Sequence, residues 1–197
     1  MKAGRWRNAA GLAAVLTALT VLPAHAAVRT IDVEFFAYTP PSPRYAQGTT
    51  VRWEFKDTAE HTSTSNQRFW ASPQLADGGV YQHTATFRNA GTYRYHCAVH
   101  SYMNARVRVP VRASGAPEDG WRIRWSSASS TPQNRRYDVQ VKGPGATPWR
   151  AYRTDVRTRS AFFNPDDAGT YRFRARTDNL DTDQSSNWSP PRAVTIS

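Results

Sequence analysis

The 197 residues exceed the usual size of one small β-domain, and no stretch is apolar enough to span a bilayer. The net charge of +11 comes from 26 lysines and arginines against 15 carboxylates. Because 23 of the 26 are arginine, codon bias explains the excess as well as an acidic partner or an anionic surface does. Charge divided evenly between the halves, with no recognition motif, argues against nucleic acid. A single cysteine excludes an internal disulfide.

Lys2, Arg5 and Arg7, the apolar run from Leu12 to Leu22 and the small-residue Pro23-Ala-His-Ala26 read as a Sec-type signal peptide over residues 1–26. The run falls short of the roughly 20 residues of a transmembrane helix. Arg5 and Arg7 are separated by Trp6, so no twin-arginine pair is present. These features predict a secreted or periplasmic protein with no transmembrane segment.

Turn signals at short spacing and the lack of a long 3.6-residue period predict an all-β chain. Val28 to Tyr38 alternates, with Ile31, Val33 and Phe35 on one face, and breaks at Pro40-Pro-Ser-Pro43. Val51, Trp53 and Phe55 mark a second half-buried strand, and the polar turn Lys56 to Glu60 delivers His61. Thr62 to Gln67, Phe69-Trp70 and the Asp77-Gly-Gly79 turn read as a long loop across the end of the fold. Tyr81 to Phe87 and Thr92 to Cys97 follow as strands, and Val107, Val109 and Val111 close the sheet.

Residues 114–120, with two glycines and a proline, have the composition of a linker. Beyond it lies a second strand-rich block, 121–197, whose core candidates include Trp121, Ile123, Trp125, Tyr137, Val139, Val141, Phe162, Tyr171 and Phe173. Arg172, Arg174 and Arg176 alternate with Tyr171, Phe173 and Ala175, so the arginines share an outward face. They are expected to stack on Trp188 of a neighbouring strand. Trp149 and Tyr152 read as core or strand-edge packing.

The densest chemistry falls between two strands, where Cys97, His100 and Met103 lie within seven residues. A thiolate, an imidazole and a thioether are what a trigonal copper site with a long axial sulfur requires, and His61 is the natural second imidazole. Cys97 in an oxidising compartment would be a liability unless buried or metal-bound. His83 has no companions at metal-ligand spacing, and His96 must point away from the face of Cys97. Zinc in the same cage would leave Met103 without a purpose.

Gly48-Thr-Thr-Val-Arg-Trp53, Glu60-His-Thr62 and Gly91-Thr-Tyr-Arg-Tyr-His-Cys97, with the short Cys-x-x-His-x-x-Met loop, resemble the cupredoxins, most closely their amicyanin-like branch. Trp125, Tyr137-Asp-Val-Gln-Val141, Gly169-Thr-Tyr-Arg-Phe-Arg-Ala175 and Asn187-Trp-Ser189 resemble a fibronectin type III module over about Pro117 to Ser197. The resemblance implies an N-terminal cupredoxin Greek-key β-sandwich over 27–113 and a C-terminal fibronectin type III or Ig-like β-sandwich. It implies one type 1 copper held by His61, Cys97, His100 and Met103, with the backbone N–H of Thr62 donating to the Cys97 sulfur. It further implies an exposed His100 ringed by Ala98, Val99 and Tyr102, where a redox protein would dock. Many relatives carry Asn after the first His and Gly two after the Met, where this chain has Thr62 and Ala105.

The expected function is single-electron transfer rather than catalysis, with the C-terminal module contacting a protein or a cell-surface polymer. Copper sequestration or delivery without redox turnover is the alternative. A nitrite reductase-like enzyme would rest on His96 and lacks a further His pair.

Overall fold

The computed structural model describes residues 27–75, 81–130, 132–145 and 147–197. Residues 1–26, read above as a signal peptide, and the Asp77-Gly-Gly79 turn fall outside the described residues. Those described contain strands, turns and bends but no helix, so the all-β expectation holds.

The first half packs two sheets face to face. One comprises β1 (Val28–Glu34), β2 (Ala37–Thr39), β3 (Thr49–Phe55) and β5 (Gln82–Phe87), in the order β2-β1-β3-β5; β1 and β3 run parallel. The other comprises β4 (Thr64–Ser65), β6 (Gly91–His96) and β7 (Asn104–Val109), in the order β4-β6-β7. Alternation along each strand turns Ile31, Val33, Val51, Trp53, Phe55, Tyr93, Tyr95, Val107 and Val109 into one buried core. Trp70, from the loop between β4 and β5, stacks on Trp53 at 5.4 Å and closes the end of that core.

Phe35 departs from the expected alternation. It is 79% exposed, because Phe35 and Phe36 both adopt positive φ (49° and 58°) and reverse the chain into β2.

The second half is another pair of sheets. β8 (Arg112–Ala116), β9 (Gly120–Arg124) and β12 (Ser160–Phe163) are ordered β12-β9-β8. β10 (Arg135–Lys142), β11 (Arg150–Val156), β13 (Gly169–Asn179) and β15 (Arg192–Ile196) are ordered β11-β10-β13-β15, and β14 (Gln184–Ser185) pairs with the end of β13. Ile123, Trp125, Tyr137, Val139, Phe173 and Ala175 fill the space between them.

Residues 114–120 are not a free linker. They form the tight turn of the β8–β9 hairpin, in which Ser114 pairs with Arg122 and Ala116 with Gly120. Gly115 and Gly120 both have positive φ (142° and 82°), and a Cβ on Gly115 would run into the Gly120 carbonyl oxygen. The glycines that suggested a linker are there because the turn demands them.

The halves are joined tightly. Ala90 and Val111, from the ends of the first half's strands, are buried in the second core. Thr92 and Asn187 exchange backbone hydrogen bonds of 2.8 and 3.0 Å, and the Ala90 N–H donates to the Trp125 carbonyl at 2.8 Å. The Thr177 hydroxyl donates to the Ala90 carbonyl at 2.9 Å, and Gln67 Nε2 donates to Asn187 Oδ1 at 2.7 Å. Gly91 permits this approach, since a Cβ there would lie 2.9 Å from the Ser186 Cβ.

Candidate metal centre

β6 ends at His96, and the chain then turns through Cys97 to Met103 before re-entering the sheet as β7. Two backbone bonds hold this turn: the Met103 N–H donates to the His100 carbonyl at 3.0 Å, and the Cys97 N–H to the Met103 carbonyl at 3.1 Å. Cys97 is a free thiol, 1% exposed, and Met103 is buried in the same core. His61 arrives from the connection between β3 and β4. It is fully buried and exchanges backbone hydrogen bonds of 2.9 Å with Leu75.

These elements bring three ligand atoms together. His61 Nδ1 lies 3.2 Å from His100 Nδ1, and Cys97 Sγ lies 3.6 Å from the His100 nitrogen and 3.9 Å from that of His61. A point equidistant from all three is about 2.1 Å from each, against roughly 2.0–2.3 Å for metal bonds to imidazole and thiolate. Two imidazole nitrogens and a thiolate, facing inward and largely removed from water, fit a soft or borderline transition metal.

The surroundings orient each donor. The Thr62 N–H donates to Cys97 Sγ at 3.3 Å, in agreement with the expected contact, and Thr62 Oγ1 accepts from the Ala98 N–H at 2.7 Å. Thr62 therefore ties the His61 segment to the Cys97 turn through both backbone and side chain. Tyr38 donates to the Thr62 carbonyl at 2.5 Å, and burial, with a smaller contribution from Cys97, pushes its phenol far above the usual range. Asp57 Oδ1 sits 3.1 Å from His61 Nε2, close enough for an ion pair but off the line of a good hydrogen bond. Its Oδ2 accepts the Phe35 N–H at 2.8 Å. One carboxylate thus steadies both an inward-facing imidazole and the β1–β2 turn.

No family model matches the chain, and no curated protein matches it. Solved structures do. One is an oxidised amicyanin variant, 24% identical, covering 45% of this chain and 86% of that one with a TM-score of 0.38. A reduced amicyanin variant is 25% identical and a Cu(I) amicyanin variant 27%; each match covers 44% of this chain and 84% of the other, with a TM-score of 0.38.

Around the ligand cluster, Ala98, Val99 and Tyr102 lie on the surface, Val99 being 41% and Tyr102 67% exposed. Sequence reasoning missed Phe36, whose ring packs edge-on against His100 at 4.9 Å and against His61 at 5.8 Å. The Phe35-Phe36 doublet, which ends the period of two that runs through β1, was the available signal. Asp57 was missed as well, hidden in a turn that looked merely polar.

His96 faces away from the cluster, with Nδ1 2.8 Å from Asn66 Oδ1. His83 stands opposite Trp53 in the β3–β5 ladder, 5.6 Å from its ring, and partial burial holds its pKa below the usual imidazole value.

Proposed function

We propose that this chain is an exported single-electron carrier, not an enzyme, with one type 1 copper held by His61, Cys97, His100 and Met103. The observation that carries the reading is the triangle of two Nδ1 atoms and one Sγ, with sides of 3.2 to 3.9 Å, in a pocket whose orienting bonds come from both sheets. Copper held there would cycle between Cu(I) and Cu(II) by gaining and losing one electron. The protein's part is to keep the donors in place: the Thr62 N–H tempers the charge on the Cys97 sulfur, Asp57 steadies His61, and the short turn fixes His100. Donors fixed by the fold need little rearrangement between oxidation states.

The redox partner is expected to dock where Ala98, Val99 and Tyr102 meet Phe35 and Phe36, an apolar rim around the least buried ligand, His100. The second half is assigned to a fibronectin type III-like module that contacts a protein or a cell-surface polymer. Its sheet orders, β12-β9-β8 and β11-β10-β13-β15, support this. So does the Tyr171 hydroxyl at the start of β13, which donates to the Asp167 carbonyl at 2.8 Å as the tyrosine corner of such sandwiches does. The proposed boundary stays near residue 113, with the β8–β9 hairpin counted in the second module.

Voltammetry of the copper-loaded chain tests the function. A reversible one-electron wave, lost in Cys97→Ser, is expected. Copper that binds tightly yet exchanges no electron with the electrode or a small redox protein would mean storage or delivery instead.

A further inference from the structure

The outward face of β6 and β7 has a charge pattern that the metal site does not use. Thr92, Arg94 and His96 stand across from Arg108, Arg106 and Asn104, so Arg94 and Arg106 are direct cross-strand partners. Like charges in that relation destabilise a sheet unless something neutralises them. Arg44 joins them through a bridge to Arg108. Among the described residues, no carboxylate comes within ion-pair distance of any of these four arginines.

Neutral contacts hold three of them in place without cancelling their charge. Arg106 Nε donates to Ser42 Oγ at 2.8 Å, an Arg108 terminal nitrogen donates to the Ser42 carbonyl at 2.6 Å, and Arg44 donates to the Pro191 carbonyl at 3.3 Å. Arg108 Nε is buried with no partner. Arg94 and Arg106 line both of two adjoining grooves, of about 440 and 430 Å³; the second adds Arg108 and runs across the junction to Trp188. Composition accounts for how many arginines the chain has. It does not account for several of them gathered in one groove with no carboxylate of the described residues within ion-pair distance.

We propose that this groove docks an extended acidic segment of a partner protein. Guanidinium forks match carboxylates with two parallel hydrogen bonds. Arg106 and Arg108 are two residues apart on one strand, a repeat of roughly 6.8 Å, the same step at which alternate side chains recur along an extended peptide. A Glu-x-Glu strand therefore lays successive carboxylates on Arg106 and Arg108, with Arg94 beside the first. Asn66 and Asn104 on the rim supply amide groups for the peptide backbone. A nucleic acid would find charge but no stacking platform, because Tyr95 is buried and Trp188 is already packed against Arg174 and Arg176. The proposal does not depend on copper.

Fluorescence anisotropy of the full chain with a labelled decapeptide alternating glutamate and serine tests it. Binding is expected at low salt, fading as salt rises, and falling about tenfold or more in Arg94→Ala/Arg106→Ala. Arg112→Ala/Arg122→Ala, which removes two arginines from a separate groove on β8 and β9, should leave binding intact. Arg94→Glu/Arg106→Glu should instead bind the alternating lysine–serine peptide, a gain that a misfolded variant would not show. Equal loss in both alanine pairs would overturn the proposal, since net charge alone would then explain the binding. Absence of binding, or tighter binding of heparin or a single-stranded oligonucleotide than of the peptide, would overturn it too.

Discussion

Asp57 is the residue on which the geometry around His61 turns. It faces the imidazole nitrogen that points away from the ligand cluster, and it also accepts the Phe35 N–H, so the apolar rim and the inner donor share one anchor. Asp57→Asn keeps an acceptor for Phe35 but removes the charge beside His61. Copper affinity should then fall about 10–100-fold in a competition titration, while the melting temperature moves little. His83 makes a different prediction. Its folded pKa lies below the unfolded value because partial burial disfavours the charged ring, so below about pH 6.5 the folded state takes up fewer protons than the unfolded state. Stability is therefore fully present above that pH and declines below it. His83→Gln should flatten this acid limb in urea titrations, and an unchanged slope would contradict the assignment. At this scale the sequence was most legible where chemistry is dense, since soft and imidazole donors within seven residues admit few other purposes. Phe36 and Asp57 were not legible, because their roles come from a positive-φ turn and a long-range contact that leave no periodic trace.

Among the elements, the β8–β9 hairpin shows where composition misleads. Glycine, proline and acidic residues suit a flexible linker and a tight reversal equally well, and the weakly apolar Arg112 to Ala116 gives little strand signal. Only the positive φ of Gly115 and its closeness to the Gly120 carbonyl separate the two. Gly115→Ala should cost about 1–3 kcal/mol, read as a lower urea midpoint with an unchanged m-value. In a flexible linker the same change would be neutral. The arginine row of β13 was better read. Arg174 and Arg176 do lie over Trp188, at 4.9 and 5.2 Å, and Trp149 adds a second ring 4.3 Å from Arg174. Gln140 and Asp138 on β10 accept hydrogen bonds from these two guanidiniums, which makes the row a cross-strand brace. Arg172, opposite Lys142 and Ala193, stands outside that stack.

In the whole molecule, two sandwiches could be anticipated but their union could not. The contacts that join them are backbone exchanges at Thr92 and Asn187, small polar side chains such as Thr177 and Gln67, and a glycine at 91. Such residues look like ordinary surface positions when read in line. Because Ala90 and Val111 are buried in the second core, the second half also buttresses β6, the strand that leads into Cys97. The molecule thereby holds its ligand cluster at one place and its arginine groove at another, on opposite faces of β6. The visible absorption spectrum of the copper-loaded full-length chain tests the central claim most directly. An intense thiolate-to-copper charge-transfer band, at one copper per chain and lost in Cys97→Ser, is predicted; a colourless Cu(II) protein with His61, Cys97, His100 and Met103 all intact would contradict it.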